Sequence, residues 1–321
     1  MSYTHLTREE RYTIDQLSKK GETIRNISII IDRSPSTVSR ELRRNTPIES
    51  TYDYKKAHQF KESRHHGAQE KYTHEDWDRV SSLLRKDWSP EQITGWLKKM
   101  KKSSPSVETI YKHIKKDRLN GGSLYHFLRK KKPYAKRGGL KDGRGQIPGA
   151  CCIEKRPREV EERCRIGDWE IDTVIGEVGG DVLVTMVERK SRFTLIRKAS
   201  SKSSEDVGRE LFNALIGHKE RVLTLTADNG KEFSKHKLTS SLLDCKYYFA
   251  HPYASWERGS NENMNGLIRQ YFPKKSSFAH LTAQEIEDVQ NSLNSRPRKC
   301  LDYSTPNEIF FEQPPCVALA G

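Results

Sequence analysis

The sequence predicts a multidomain protein, an all-α N-terminal region followed by a mixed α/β domain, and three observations carry that prediction. Charge is one-sided: residues 1–160 hold 36 Lys and Arg against 20 Asp and Glu, a net of +16, while residues 161–321 hold 22 against 23, a net of −1. Helix-start signals crowd the first half. Apolar periodicity then switches from the helical to the strand repeat in the second half. A basic excess confined to one half points to a polyanionic partner there, the bland alternative being a solvated face or tail. With 34% hydrophobic and 31% charged residues in a chain of 321, the cores are expected to be small.

The first helix opens at Thr7-Arg8-Glu9-Glu10, a capping-box pattern, and runs to Lys20 before Gly21. Isoleucines 24, 27, 30 and 31 give a short second helix, Asp32-Arg33 a turn, and Ser34-Pro35 the start of a third through Arg43. Helix, turn and helix within about twenty residues, the last rich in Ser, Thr and Arg, is the pattern of a helix-turn-helix. It would present Ser36, Thr37, Ser39, Arg40, Arg43 and Arg44 to the major groove. The pattern returns more weakly: a helix at 75–86, a second capping box at Ser89-Pro90-Glu91-Gln92, and Ser104-Pro105-Ser106 leading into a helix with Lys112, Lys115 and Lys116 around its apolar positions.

From 119 to 160 the periodicity fails, and the run RKKKPYAKRGGLKDGRGQIPG at 129–149 reads as a phosphate-tracking basic linker. The expected division is therefore 1–50 helix-turn-helix, 51–118 a second helix-turn-helix-like region, 119–160 linker, 161–315 the α/β domain and 316–321 a tail. Strands are expected at 167–178, 181–191 and 192–199 as an antiparallel meander, then a helix carrying Val207, Leu211 and Leu215. A strand at 222–227, a helix at 231–243, a strand at 245–250 and helices at 259–271 and 282–295 complete it. No run of about eighteen apolar residues exists, so no membrane span is expected, and the N-terminus lacks the apolar core of a secretory signal. The six cysteines show no C-x-x-C pair and no histidine spacing typical of zinc, and read as reduced thiols of a cytoplasmic protein.

Three carboxylates stand out. Asp172 lies in the first strand, Asp228 at the end of the fourth, and Glu262 near the start of a helix. If the outer two of these strands flank one another, these acids converge, with Glu262 brought in by its helix. Oxygen-only ligands suit Mg²⁺ or Mn²⁺, and two such ions can drive an in-line phosphoryl displacement. Spacing alone decides little among 43 acids, each of which has a turn cap or surface ion pair as its plainer role. Asp168 and Glu170 share the strand face of Asp172 and compete for the same part.

The surrounding words carry more. GDWEIDTVIG, VERKSRFT, TLTADNGKEF, YFAHPYASWERGSNENMNGLIRQYFPK and SRPRKCLDYSTPNEIF occur in this order. Together they closely resemble the DDE transposases of the bacterial insertion-sequence family thirty, from the helix-turn-helix to near residue 315. The family's metal-binding acids sit in the words that here contain Asp172, Asp228 and Glu262, and its gap of 33 residues between the last two is kept, from 229 to 261. The resemblance implies an RNase H-like, integrase-core fold, two divalent ions (Mg²⁺ or Mn²⁺) and binding of double-stranded DNA at the element's terminal inverted repeats. It further implies strand cleavage to a 3′-hydroxyl, attack of that hydroxyl on target DNA or the other element end, and no covalent protein–DNA intermediate. Joining two ends implies a homodimer or larger synaptic complex, working at the bacterial nucleoid.

Around the acids, Asn229 and Gly230 are expected to shape the turn that aims Asp228, the glycine by permitting a positive φ. Asn261, Asn265 and Arg269 fall on or near the helix face of Glu262 and either orient it, hold phosphate or form a hydrated face. His251 reads as a proton shuttle or a hydrogen-bonded structural histidine. Arg258 and Trp256 read as DNA-contacting groups, Trp256 alternatively as core. The rival reading is a helix-turn-helix DNA-binding regulator, or a transposase copy whose acidic half no longer acts.

Overall fold

The computed structural model describes residues 5–46, 50–66, 72–129, 147–252 and 254–311. Residues 130–146 of the basic linker and the 316–321 tail with Cys316 lie outside these. The chain forms two compact units, residues 1–73 and 74–321.

In the first unit Thr7 and Glu10 close the capping box that starts α1 (Arg8–Lys19). Thr23 caps α2 (Ile24–Ile30), and Ser34 caps α3 (Pro35–Asn45) with proline at its first turn. A fourth helix not foreseen, α4 (Tyr54–His66), belongs to this unit. Its apolar stripe is only Tyr54, Ala57 and Phe60 among charged residues, too thin to show as periodicity. Ile14, Ile27, Val38, Tyr52 and Ala57 make the core. Across it Arg11 pairs with Glu41 at 2.7 Å, and Tyr52 donates to the same carboxylate at 3.1 Å. These bonds fix α3 against α1 and leave Ser36, Ser39, Arg40, Arg43 and Arg44 exposed and Thr37 half-buried.

The second unit begins with α5 (His74–Arg85), α6 (Pro90–Lys99) and α7 (Val107–Leu119), which bury Val80, Leu83, Leu84, Ile93, Leu97, Ile110 and Ile114 among themselves. This bundle is built into the α/β domain. Gln92 donates to the Pro297 carbonyl at 2.8 Å, Lys99 to that of Asp302 at 2.9 Å, and the Tyr271 hydroxyl to Asp87 at 2.7 Å. Residues 147–160 also depart from a linker. Ile147 enters the sheet's core and Cys152 forms a β-bridge to Phe249, with a 3-10 turn at Ile153–Lys155 and α8 (Arg158–Glu162) following. Their apolar residues are single and widely spaced among charges, which hid them from the sequence pattern.

Five strands follow: β1 (Asp168–Ile175), β2 (Val182–Glu188), β3 (Thr194–Ala199), β4 (Thr224–Ala227) and β5 (Lys246–Phe249), in the order β3-β2-β1-β4-β5. The first three pair antiparallel as the meander requires, and β4 and β5 join β1 in parallel. This is the sheet of an RNase H-like fold. Between β3 and β4 runs α9 (Ser204–Leu215). Between β4 and β5 runs α10 (His236–Leu243), preceded by a 3-10 turn at Lys231–Phe233 where one continuous helix was expected. These helices cover one sheet face with Val207, Leu211, Leu215 and Leu243. The other face takes α11 (Gly259–Tyr271) and α12 (Ala283–Asn294) through Met264, Leu267, Ile268, Ile286 and Leu293. Covered on both faces, β2 is buried along its whole length. A last short helix, α13 (Pro306–Phe311), stacks Phe310 on Phe193 with ring centroids 4.2 Å apart.

Gly176 ends β1 where the chain after α11 crosses it. A Cβ there would lie 2.4 Å from the Ser276 carbonyl oxygen and 3.1 Å from the Phe278 ring. Backbone cannot yield as a side chain can, so Gly176→Ala is expected to cost about 1–3 kcal/mol by overpacking. The denaturation midpoint measures this, and an unchanged midpoint would show that the crossing is looser than drawn.

Candidate active site

Strand alternation decides which acids can meet. On β1, Trp169 and Ile171 point to the α9 side, while Glu170, Asp172 and Val174 point to the α11 side. In the parallel register Glu170 lies opposite Thr226, so a step of two brings Asp172 abreast of residue 228, just past the end of β4. The carboxylates of Asp172 and Asp228 are bridged by one guanidinium: Arg258 Nη1 is 3.4 Å from Asp172 and Nη2 3.4 Å from Asp228. Arg258 is buried and also donates to the Ile171 carbonyl at 3.2 Å. Expected at the DNA surface, it is instead the counter-charge of the two acids, whose half-buried carboxylates lie abreast and need one.

Glu262 is exposed on the first turn of α11, and Asn265, one turn on, donates to Asp172 Oδ2 at 3.0 Å. The helix thus brings Glu262 to the same side of the sheet. The three acids do not close on a common point: among the described residues the one Asp, Glu, His and Cys trio whose ligand atoms lie within 4.8 Å of one another is Cys152, Glu154 and His251.

Glu170 sets where α11 begins. Fully buried, it pairs with Arg189 Nη1 at 2.6 Å and accepts the backbone N–H of Asn261 at 2.9 Å. A sheet carboxylate thereby caps a helix N-terminus, where the helix dipole favours negative charge. Asp168, its neighbour on the same face, accepts from Thr224 at 2.7 Å and Arg165 at 3.0 Å, tying β1 to β4. Both carboxylates are thus fully engaged within the fold. Thr185, opposite Asp172 on β2, has its hydroxyl within 3.2 Å of Asn261 Oδ1, 3.1 Å of Asn265 Oδ1 and 3.3 Å of the Asp172 carbonyl. Neither Thr185 nor Glu232 was singled out from sequence. Glu232 is buried, accepts from Thr173 at 3.1 Å and pairs with Lys202 at 2.9 Å. The polar threonine within a run of buried apolar residues was the available signal for the first, and Lys-Glu beside the Asp228 turn for the second.

The turn after Asp228 corrects an expectation. Gly230 has φ −69°, not positive. Its need is space: a Cβ would lie 2.5 Å from Glu232 and 2.8 Å from Asp228 Oδ1, the oxygen that accepts the Gly230 N–H at 2.9 Å. Asn229 donates to the Ala250 carbonyl at 2.6 Å, holding the turn against the end of β5. Beside it opens a cleft of about 490 Å³ lined by Lys202, Ser203, Gly230, Lys231 and Glu232.

Other expected DNA contacts divide. Trp256 is 75% exposed, as a stacking group would be rather than a core one. Arg269 donates to the Ile175 and Pro273 carbonyls at 2.6 and 3.4 Å, which occupies its guanidinium with joining β1 to α11. Lys112, Lys115 and Lys116 are exposed on α7, the first in an ion pair with Glu108. On α3, Arg40 folds back onto the Ser36 hydroxyl at 3.1 Å. His251 Nδ1 lies 2.8 Å from Glu257, whose carboxylate raises the imidazole pKa above its ordinary value.

An RNase H-like sheet with two acids abreast at its β1–β4 seam, in a chain that starts with a helix-turn-helix, defines a DNA-processing enzyme. Residues 2–45 match the family model described as a helix-turn-helix domain. The chain is 42% identical over 312 residues to the transposase for insertion sequence element IS4351 of Bacteroides fragilis, covering 95% of each. It is 35% identical to the transposase InsI for IS30C of Escherichia coli K12, covering 95% of this chain and 83% of that one. A putative integrase of Spiroplasma virus SpV1-R8A2 B is 27% identical over 97% of this chain and 99% of its own. The catalytic core domain of BIV integrase, a crystal structure, aligns at 19% identity and a TM-score of 0.35, covering 46% of this chain and 95% of that one. The chain belongs to the IS30 family of insertion-sequence transposases.

The pKa of Asp172 is raised, by burial first and then by the charges of Asp228 and Glu232, against the opposing pull of Arg258. The folded protein therefore keeps a proton that the unfolded chain loses at lower pH, and stability falls as pH rises from the ordinary aspartate range through the raised value. Removing the charge should reverse this. Asp172→Asn is expected to melt at a higher temperature than the parent at pH 7 in EDTA, with the gap closing below the ordinary aspartate range. A lower melting temperature for the variant at pH 7 would contradict the burial argument.

Proposed function

We propose that this protein is a transposase that binds the terminal inverted repeats of its own insertion sequence, cuts a DNA strand to a 3′-hydroxyl and joins that end to DNA. The observation that carries this reading is the parallel β1–β4 register, which sets Asp172 and Asp228 side by side while α11 brings Glu262 to the same face. In the relatives' names, transposase is the stated activity.

The donor set fits divalent cations of the hard, oxygen-seeking kind, Mg²⁺ or Mn²⁺. All three acids offer oxygen, and the two aspartates already require a cation between them, a part Arg258 takes here. Bound there, two such ions would polarise the scissile phosphate and lower the pKa of the attacking water or 3′-hydroxyl. The chain's own residues supply the frame. Asn265 and the Thr185 hydroxyl hold Asp172 and its strand in place, and the Gly230 N–H holds one oxygen of Asp228. Arg258 neutralises the pair until substrate arrives. Exposed Ser36, Ser39, Arg40, Arg43 and Arg44 on α3 read DNA in the major groove, with Thr37 at their edge, and Trp256 stacks on an unpaired base. Lys112, Lys115 and Lys116 on α7 contact phosphate. A homodimer or larger assembly follows from the need to hold two DNA ends at once.

Asp228→Asn is expected to abolish cleavage of labelled DNA carrying the element's flanking sequences, in Mg²⁺ or Mn²⁺, while gel-shift affinity for that DNA stays within about threefold of the parent. Products of the parent should carry 3′-hydroxyls at one fixed position. Specific binding without cleavage by the parent in either metal would favour the regulator or inactive-copy reading.

A further inference from the structure

Cys152, Glu154 and His251 come together outside the acidic site, and no role above uses them jointly. Cys152 Sγ lies 3.3 Å from His251 Nε2, Glu154 Oε1 lies 3.4 Å from the same nitrogen, and all three ligand atoms fall within 4.8 Å of one another. The other imidazole nitrogen, Nδ1, is 2.8 Å from Glu257 Oε1, and the Glu257 carboxylate also accepts the His251 backbone N–H at 2.8 Å. From these contacts we propose that Cys152, Glu154 and His251 bind one zinc ion.

The geometry suits that ion. Zinc takes thiolate sulfur at about 2.3 Å and imidazole nitrogen or carboxylate oxygen at about 2.1 Å, so a tetrahedral site, here three side chains with water as the fourth ligand, separates its ligands by about 3.4–3.6 Å. The 3.3 and 3.4 Å separations match this spacing. The carboxylate behind the histidine adds the second requirement of such sites. Donating its Nδ1 proton to Glu257 fixes the tautomer that leaves Nε2 as the lone-pair donor. A mixed sulfur, nitrogen and oxygen set distinguishes this site from the oxygen-only acids, which favour harder ions. On binding, the Cys152 thiol gives up its proton to solvent and the thiolate takes the metal.

The placement gives the ion a use. Cys152 is already bridged to Phe249 on β5, and Phe249 donates its N–H to the Cys151 carbonyl at 2.9 Å. His251 and Glu257 belong to the segment that runs from β5 to Arg258 and α11. A zinc here staples residues 152–154 to that segment and stiffens the support of Arg258. Sequence spacing could not show it, because Cys152 and His251 are 99 positions apart.

The test is titration of metal-free full-length protein with Co²⁺, followed by competition with Zn²⁺. A near-ultraviolet thiolate-to-cobalt charge-transfer band saturating at one ion per chain, and erased by zinc, is the expected result. Cys152→Ser should remove the band and Cys151→Ser keep it. Glu257→Gln, with every ligand intact, should weaken zinc about 10–100-fold, which keeps the test open if Cys152→Ser fails to fold. Absence of the band in the parent, its survival in Cys152→Ser, or its loss in Cys151→Ser would overturn the proposal.

Discussion

The placement of α11 hangs on one buried carboxylate. Glu170 is fully buried on the central strand, and such a charge persists only when paired and hydrogen-bonded. Arg189 supplies the pair and the Asn261 N–H the helix terminus. Because the second bond comes from the first turn of α11, satisfying Glu170 also fixes where that helix meets the sheet. Asn261 and Asn265 then fall beneath Thr185, Asn265 reaches Asp172, and Glu262 is carried, exposed, to the same side of the sheet. An acid with no direct part in the proposed chemistry decides the position of those that have one.

The other half of the site comes from strand register. A parallel β1–β4 seam with Glu170 opposite Thr226 places Asp172 and Asp228 abreast, and no antiparallel pairing of the same strands would bring both to the same end. Burial and the neighbouring charges of Asp228 and Glu232 disfavour the charged form of Asp172 and raise its pKa. Arg258 offsets part of that cost while leaving both carboxylates partly accessible, with side chains 24% and 29% exposed. On the proposed reading, a divalent cation would take over the counter-charge that Arg258 supplies here.

Much of this was legible in the residues. Capping boxes at Thr7 and Ser89 marked two helix starts that the structure keeps, since a cap is a local bond. The meander followed from the short connections between the first three strands. What stayed hidden was set by tertiary contact. Arg258 looks like any surface arginine until the fold places it between two aspartates. Gly230 looks like a turn glycine, whereas crowding by Glu232 is what excludes a side chain there. Glu170 shares the face of Asp172, and only Arg189 and Asn261, distant in sequence, show that it is a cap. Residues 147–160 read as linker because their few apolar groups find their partners in the α/β domain.

The central claim is that Asp172, Asp228 and Glu262 serve one metal site although the fold leaves Glu262 apart from the aspartates. Calorimetric titration of Mn²⁺ into the parent and into Glu262→Gln, both bound to element-end DNA, addresses it directly. The variant, with unchanged melting temperature and DNA affinity, is expected to bind Mn²⁺ more than an order of magnitude more weakly. Equal Mn²⁺ affinity in the two proteins would contradict it and leave Glu262 an ordinary exposed acid on the first turn of a helix.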